Sequence, residues 1–214
     1  MAKFDFGLMY VTDDNIREDN LFLSIIEAAL KGGVNSIQLR EKSGSTLSFF
    51  NRAVKVKKLC LHYNIPLIIN DRLDIALAVN AEGLHIGQKD IPYKIARKVL
   101  GKNKIIGLSV SNINEAIEAN KTDVDYIGLS PVFSTTTKTT DLATPMGIKG
   151  VIMIKKISNK PIICIGGINA NNTTDLLLNG ADGIAVVSSI SKAVDPELET
   201  KNLIQIICKT GLHK

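Results

Sequence analysis

The sequence predicts an α/β fold, a single (β/α)8 TIM barrel. Eight short apolar runs alternate along the chain with eight segments of helical spacing. The apolar runs are continuous rather than interleaved with polar residues, as expected of parallel strands covered on both faces. A chain of 214 residues is near the lower end of length for one such barrel. No linker or low-complexity tract divides the sequence, so we expect residues 1–214 to form one domain.

The alternative architecture is a doubly wound open sheet. That fold normally has fewer strands over this length, and no G-x-G-x-x-G sequence follows the first apolar run. The barrel is therefore the architecture that the pattern favours.

Each predicted strand is an apolar run bounded by polar or glycine residues. The third run ends at Asn70-Asp71 and the fourth is followed by Gln88-Lys89-Asp90. Between them lies a segment rich in helix formers, so this stretch predicts a β-α-β unit whose two strand ends point the same way. The predicted strands are 6–12, 36–42, 66–69, 83–86, 104–110, 125–132, 161–168 and 183–190.

The predicted helices show apolar spacing of three and four residues together with end signals. Gly32-Gly33 ends the first helix, Ser43-Gly44-Ser45-Thr46 supplies a turn and cap before the second, and Pro92 lies in the first turn of the fourth. The predicted helices are 21–30, 47–61, 73–79, 92–100, 114–119, 147–157, 171–179 and 196–208. The longest loop, 133–146, has little apolar content, and loops of this length are usually functional or disordered.

Composition excludes several classes of function. The net charge of +5 is mild and spread along the chain, and Trp is absent, which argues against a nucleic-acid partner and suits a pocket for small anions. No run of eighteen apolar residues and no apolar leader is present, which predicts no membrane segment and a cytoplasmic location. Cys60, Cys164 and Cys208 are far apart in apolar runs, typical of buried reduced thiols.

In a TIM barrel the active site is built at the carboxyl ends of the strands and in the loops that follow them. The polar and glycine residues at these ends are the candidates for chemistry. They are Gln38, Arg40, Lys42, Asn70, Asp71, Asp90, Ser109, Thr135, Thr136, Thr137, Lys138, Gly166, Gly167, Val187, Ser188 and Ser189.

The first candidate site is for Mg²⁺. Asp71 and Asp90 end consecutive strands, and one or two carboxylates with water and substrate phosphate oxygens is the usual coordination of this ion. The alternative is that each carboxylate caps the helix that follows it. Spacing alone does not distinguish the two.

The second candidate site is a clamp for a diphosphate. Arg40 and Lys42 are two residues apart, hence on one side of a strand end, and Lys138 lies in the long Thr-rich loop. The alternative is a solvated rim in which Glu41 is an ion-pair partner. Two cations from one strand end and a third from the loop favour the clamp.

The third candidate site is for a monophosphate. Gly166-Gly167 follows the seventh strand and Val187-Ser188-Ser189 the eighth, where phosphate-binding barrels place backbone N–H groups. A tight turn alone would also explain the paired glycines. The position after both strands favours phosphate.

Other chemistries find less support. His85 is the one histidine in a predicted strand, and we interpret it as a core histidine with satisfied hydrogen bonds rather than a base. No Cys/His cluster predicts zinc, and no serine has the G-x-S-x-G context of a nucleophile.

Six sequence motifs follow one another over nearly the whole chain. They are Gln38-Leu39-Arg40-Glu41-Lys42, Ile69-Asn70-Asp71-Arg72, His85-Ile86-Gly87-Gln88-Lys89-Asp90, Thr135-Thr136-Thr137-Lys138, Ile165-Gly166-Gly167-Ile168 and Val186-Val187-Ser188-Ser189-Ile190. In order and spacing, this series resembles the motifs of the thiamine phosphate synthase family. The family joins hydroxymethylpyrimidine diphosphate to a thiazole phosphate, releasing diphosphate. The resemblance implies a dissociative reaction, in which diphosphate leaves before the thiazole nitrogen attacks a pyrimidine carbocation.

The resemblance also implies a role for each matching residue. The pyrimidine diphosphate would be held by Gln38, Leu39, Arg40, Glu41, Lys42, Asn70, Ser109 and Lys138, with Arg40, Lys42, Ser109 and Lys138 nearest the chemistry, and Asp71 and Asp90 would bind Mg²⁺. The thiazole phosphate would be held by Thr135, Thr136, Thr137, Gly167, Val187 and Ser188. Family members usually have Gly where this chain has Ser130, and often His where it has Ser111.

Three other functions on related barrels are alternatives. A thiazole tautomerase or a non-catalytic sensor of thiazole or thiamine phosphate would not need the complete diphosphate and metal set. A ribulose-phosphate-type epimerase would need paired acid and base residues that the sequence lacks. The expected partners are small-molecule substrates, and the sequence leaves open whether the chain forms a homo-oligomer.

Overall fold

The computed structural model describes residues 4–135 and 143–211. Eight parallel strands close into a barrel in the order β1 to β8, and β1 pairs with β8 through the register Leu8 with Ile184. The strands are β1 Leu8–Val11, β2 Ser36–Leu39, β3 Leu67–Asn70, β4 Gly83–Ile86, β5 Ile105–Val110, β6 Tyr126–Leu129, β7 Ile162–Ile165 and β8 Gly183–Val186. The predicted TIM barrel is confirmed.

Helices surround the barrel and pack on its outer face. They are α1 Asp19–Gly32, α2 Thr46–His62, α3 Leu73–Ala78, α4 Tyr93–Leu100, α5 Ile113–Asn120, α6 Gly147–Ile157, α7 Ala170–Leu178, α8 Ser188–Ser191 and α9 Pro196–Lys209. The sequence signals at two helix ends act as expected. Ser45 Oγ accepts from the N–H of Ser48 at the start of α2, and Gly33 ends α1 with a φ of 96°.

The last predicted strand, 183–190, is too long. β8 ends at Val186, the chain leaves the sheet at Val187, and Ser188–Ser191 form the short helix α8. Strands predicted at 6–12, 36–42, 125–132 and 161–168 are also shorter in the structure. Some residues beyond the strand ends keep a backbone hydrogen bond to a neighbouring strand, as Thr12 does to Gln38 at 2.9 Å and Val132 to Ile165 at 2.9 Å.

Two apolar layers hold the structure together. Within the barrel, Met9, Val11, Ile68, Tyr126 and Ile163 pack against one another, and a larger cluster fills the space between strands and helices. Successive strand residues point to opposite faces, and because both faces are covered most strand positions are apolar.

A repeated hydrogen bond joins strands in pairs at the amino-terminal end of the barrel. The residue just before each even-numbered strand accepts, through its side chain, a backbone N–H near the start of the preceding strand. The bonds are Leu8 to Asn35 (2.7 Å), Leu67 to Glu82 (3.0 Å), Ile106 to Asp125 (2.8 Å) and Ile162 to Asp182 (2.9 Å). Three of these acceptors are carboxylates, and Lys57, Arg97 and Lys155 pair with them.

The cysteines are free thiols, but not all are buried. Cys60 and Cys164 are in the interior, where burial raises the pKa of each thiol to about 12. Cys208, on α9, is exposed. The prediction that all three are buried is therefore wrong for Cys208. No helix in the described part of the chain has the length and apolar character needed to cross a membrane.

Candidate active site

Several predicted residues meet at the carboxyl ends of the strands. The side chains of Gln38, Asn70, His85 and Ser109 alternate with outward-facing residues and point into the upper barrel. Asn70 is only 7% exposed, yet its amide makes no side-chain hydrogen bond within the described residues. An unpartnered, nearly buried amide in this position is available to a ligand.

Asp71 follows β3 in an unusual backbone conformation. Its φ of 64° lies in the left-handed region, and its N–H donates to the carbonyl of His85 at 2.8 Å. Its carboxylate forms an ion pair with Lys42. Helix α3 has no side-chain cap, so Asp71 does not serve the helix that follows it.

Asp90 lies beside Asp71 at the neighbouring strand end. Its Oδ2 accepts the N–H of Gly87 at 2.7 Å, and helix α4 also has no side-chain cap. Burial, together with the hydrogen-bonded carboxyl of Asp71, raises the pKa of Asp90. The alternative of two helix caps is thus not what the structure shows.

Two carboxylates in contact repel each other unless a proton or a cation lies between them. In the described part of the chain no third His, Cys, Asp or Glu joins them to form a larger metal-binding group. A site with two carboxylates suits Mg²⁺, which usually keeps several waters and takes the rest of its ligands from substrate phosphate.

Arg40 and Lys42 both lie at this rim, and each is already paired. Arg40 Nη1 lies 2.6 Å from Asp14 Oδ1, and Thr12 fixes the Arg40 backbone with hydrogen bonds of 3.0 and 3.2 Å. Asp14 is not among the site residues predicted from the sequence. Applying the strand-end rule to β1 would have found it, because it lies in the polar turn after that strand.

The other two residues of this motif, Leu39 at the end of β2 and Glu41 just after it, have buried side chains. Leu39 is fully buried in the layer between strands and helices. The Glu41 side chain is 5% exposed and lies between Arg17 at 3.2 Å and Arg52 at 3.0 Å. Glu41 therefore anchors the loop that carries Arg40 and Lys42, and Leu39 has only its main chain to offer a ligand.

A depression of about 210 Å³ lies beside the acidic pair. Lys42, Asp71 and Arg72 line it together with Glu41, Phe49 and the loop 43–45. Backbone and cationic groups therefore border the same space as one of the two carboxylates. This is the arrangement expected for a phosphorylated ligand bound with a cation.

The predicted monophosphate site has a tightly built backbone. Gly166 and Gly167 have φ values of 104° and 64°. A Cβ on Gly167 would lie 2.5 Å from the carbonyl oxygen of Ser134, so the loop after β6 packs directly on this turn. The N–H groups of Gly167, Val187 and Ser188 donate no hydrogen bond within the described chain.

The predicted Thr-rich segment lies only partly within the described residues. Thr135 is half-buried at the start of the long loop, whereas Thr136, Thr137 and Lys138 lie outside the described residues.

The two residues that depart from the family pattern, Ser130 and Ser111, both lie within the described residues. Ser130 precedes Pro131 in a cis peptide, and Ser111 donates through its N–H and hydroxyl to Glu115 at the start of α5.

His85 is a core histidine, as interpreted from the sequence. Nδ1 lies 3.0 Å from the Tyr126 hydroxyl and Nε2 lies 2.9 Å from Ser109 Oγ. Burial lowers the pKa of His85 to about 4, so the imidazole is neutral at pH 7. Nothing in the sequence identified Tyr126 as its partner, because the two residues meet only across the barrel.

Comparison with known proteins agrees with this geometry. The family model described as thiamine monophosphate synthase matches residues 8–190. The chain is 46% identical to the thiamine-phosphate synthase of Methanobrevibacter smithii, covering 96% of this chain and 97% of that protein. It is 44% identical to that of Clostridium novyi, covering 94% and 98%. The structure of a thiamine phosphate pyrophosphorylase from Pyrococcus furiosus superimposes with a TM-score of 0.87 at 32% identity, covering 98% of this chain and 99% of that one.

Proposed function

This chain belongs to the thiamine monophosphate synthase family, and from that premise we propose how its site performs the reaction. The protein is a transferase that makes thiamine phosphate. Its substrates are hydroxymethylpyrimidine diphosphate and hydroxyethylthiazole phosphate, and the second product is diphosphate.

The observation that carries the assignment of residues is the group formed by Asp71, Asp90 and Lys42. Two carboxylates in contact, one of them paired with a lysine, lie at the mouth and cap no helix. A purely structural role would leave this repulsion unexplained. A site that takes up a cation together with a polyanion explains both the acids and the lysine.

Asp71 and Asp90 would hold Mg²⁺. The raised pKa of Asp90 agrees with this assignment, since burial and the neighbouring Asp71 carboxyl both raise it and a bound cation would favour the ionised form against both. When bound, Mg²⁺ neutralises diphosphate oxygens as a Lewis acid. Asn70, with its free amide next to Asp71, would contact the same substrate.

Arg40 and Lys42 would stabilise the leaving group. As the carbon–oxygen bond to diphosphate breaks, its electron pair leaves with the diphosphate, and nearby cations lower the energy of that charge. Lys138 is proposed as a third cation, on the resemblance alone. Asp14 keeps Arg40 at the rim with an ion pair of 2.6 Å.

Bond formation needs no proton transfer. The thiazole nitrogen donates its lone pair to the pyrimidine methylene carbon, which gives a thiazolium directly. The site therefore needs neither a nucleophile nor a general base. His85 agrees with this, because both of its ring nitrogens are already hydrogen-bonded inside the barrel.

The thiazole phosphate would bind across the ends of β7 and β8. The N–H groups of Gly167, Val187 and Ser188 have no partner within the described chain, and N–H groups of this kind bind phosphate oxygens. Thr135, Thr136 and Thr137 are proposed as further contacts.

The substrates are phosphorylated metabolites, which supports a cytoplasmic location.

A tautomerase or a sensor is the weaker proposal. Neither would require Arg40, Lys42 and a pair of acids around a diphosphate, and the curated relatives named above are synthases.

Purified protein with both substrates and Mg²⁺ tests the function. Diphosphate and thiamine phosphate should appear in equal amounts, and omission of the thiazole phosphate should abolish the second product. A folded protein that forms no thiamine phosphate would contradict the proposal and leave the tautomerase or sensor.

A further inference from the structure

A buried chain of hydrogen bonds leads through the barrel to Ser109. It runs from the Tyr126 hydroxyl to His85 Nδ1 at 3.0 Å, and from His85 Nε2 to Ser109 Oγ at 2.9 Å. The imidazole stacks on the Tyr126 ring with centroids 5.5 Å apart. Phe4 and Phe6 pack on Tyr126 with centroids at 6.1 and 6.0 Å. The chain thus connects the apolar base of the barrel to its mouth.

Two glycines provide the space for these rings. A Cβ at Gly107 would lie 2.1 Å from Cζ of Tyr126 and 2.6 Å from Nδ1 of His85. A Cβ at Gly128 would lie 2.8 Å from Cε1 of His85. Any larger residue at either position would displace a ring, so the sequences of β5 and β6 are adapted to this arrangement.

The direction of each hydrogen bond follows from the available protons. The Tyr126 hydroxyl is buried, and His85 Nδ1 at 3.0 Å is the hydrogen-bond acceptor that lies within reach of its proton. The Tyr126 hydroxyl therefore donates to His85 Nδ1. A neutral imidazole that accepts at Nδ1 carries its own proton on Nε2 and donates it to Ser109 Oγ.

Ser109 therefore uses its oxygen as an acceptor toward His85. Its own proton has no acceptor within the described chain. We propose that Tyr126 and His85 are positioning residues that hold the Ser109 hydroxyl as a hydrogen-bond donor toward the pyrimidine substrate. The matching substrate atom is a lone-pair acceptor, such as an aromatic ring nitrogen. This inference rests on the proposed function, in which Ser109 contacts that substrate.

The tautomer of His85 tests the proposed hydrogen-bond directions without any substrate. In the full-length protein labelled with ¹⁵N-histidine, the NMR shifts and couplings of the His85 ring should show the proton on Nε2. In Tyr126→Phe, which keeps the ring but removes the donor to Nδ1, the Nε2–H form should lose its dominance. A wild-type ring protonated on Nδ1 would overturn the inference.

A double-mutant cycle tests the consequence for catalysis. Tyr126→Phe and Ser109→Ala should each lower kcat/KM for the pyrimidine diphosphate by about tenfold, the size expected for one hydrogen bond. The double variant should lose no more than either single variant, because both remove the same interaction. The KM for the thiazole phosphate should not change.

Tyr63→Phe is the matched control. It also removes a tyrosine hydroxyl, one that donates to Glu27 at 3.2 Å on the outer face, and it should leave kcat/KM unchanged. Additive losses in the cycle would mean that Tyr126 has only a structural role and would overturn the inference. Absence of synthase activity in the wild type would contradict the proposed function, while the NMR measurement would still decide the hydrogen-bond directions.

Discussion

Asp71→Asn is the most direct test of the metal assignment. It removes the charge of one carboxylate while keeping its shape, and Asn tolerates the left-handed φ of 64° that Asp71 adopts. Asp71→Ala would add backbone strain at this position and so confound the result. The two variants are therefore informative together, because both remove the charge of Asp71 and only Asp71→Ala adds backbone strain.

The expected effect of Asp71→Asn falls on metal binding rather than on folding. Loss of groups that merely orient a metal ligand typically costs about 10–100-fold in metal affinity or activity, and loss of a ligand should cost at least as much. The lost ion pair with Lys42 is half exposed on the lysine side and contributes about 0–1 kcal/mol to stability.

The assay is diphosphate release at a series of Mg²⁺ concentrations, with thermal unfolding of the same samples. Asp71→Asn should need far more Mg²⁺ for half-maximal rate and should melt close to the wild type. Wild-type dependence on Mg²⁺ would refute the assignment. A large drop in melting temperature with normal Mg²⁺ dependence would instead mean that Asp71 is structural.

Three further predictions concern other parts of the molecule. Lys42→Ala should lower kcat at least tenfold, on the order expected for loss of a charge that stabilises the transition state. Lys55 is an equally exposed, ion-paired lysine, and Lys55→Ala should leave kcat unchanged. Asp125→Ala removes the acceptor of the Ile106 N–H and should lower the free energy of unfolding, measured by urea titration, by about 1–3 kcal/mol. The control is Asp123→Ala, which removes a more exposed partner of Arg97 and should lower it by less than about 1 kcal/mol. The pKa of His85 is about 4 in the folded protein and its ordinary value is near 6.5, so the unfolded chain binds a proton first as pH falls. The free energy of unfolding should therefore decrease by about 3 kcal/mol between pH 6.5 and 4. Urea midpoints for His85→Asn should show a smaller decrease over the same range.

Element order and type followed directly from the sequence. The runs around Ile68 and Leu84 are continuous and apolar, and the helices between strands carry apolar spacing and caps such as Ser45. These are local signals, because the spacing of apolar residues within one element indicates which of its faces is buried. Strand ends did not follow in the same way. Residues 183–190 are an apolar run broken only by two serines, yet the chain turns into α8 after Val187.

The candidate site shows the same division. That Asp71, Asp90 and Lys42 come together was predictable, since the carboxyl ends of all barrel strands meet at one face. Whether the acids cap helices or face each other was not, because an N-cap and a metal ligand have the same local sequence. The roles of Gln38 through Lys42 in substrate binding, and of the loop residues Thr136, Thr137 and Lys138, stay predictions.

The sequence by itself thus determined the barrel, the family and the set of polar residues at its mouth, because strand length, apolar continuity and motif order are properties of the linear chain. Only the tertiary structure decided that Glu41 turns outward to Arg52, that Arg40 pairs with Asp14, and that His85 lies between Tyr126 and Ser109. The physical reason is that these contacts join separate strands and loops. Their geometry depends on closure of the barrel, which brings together residues that no local pattern connects.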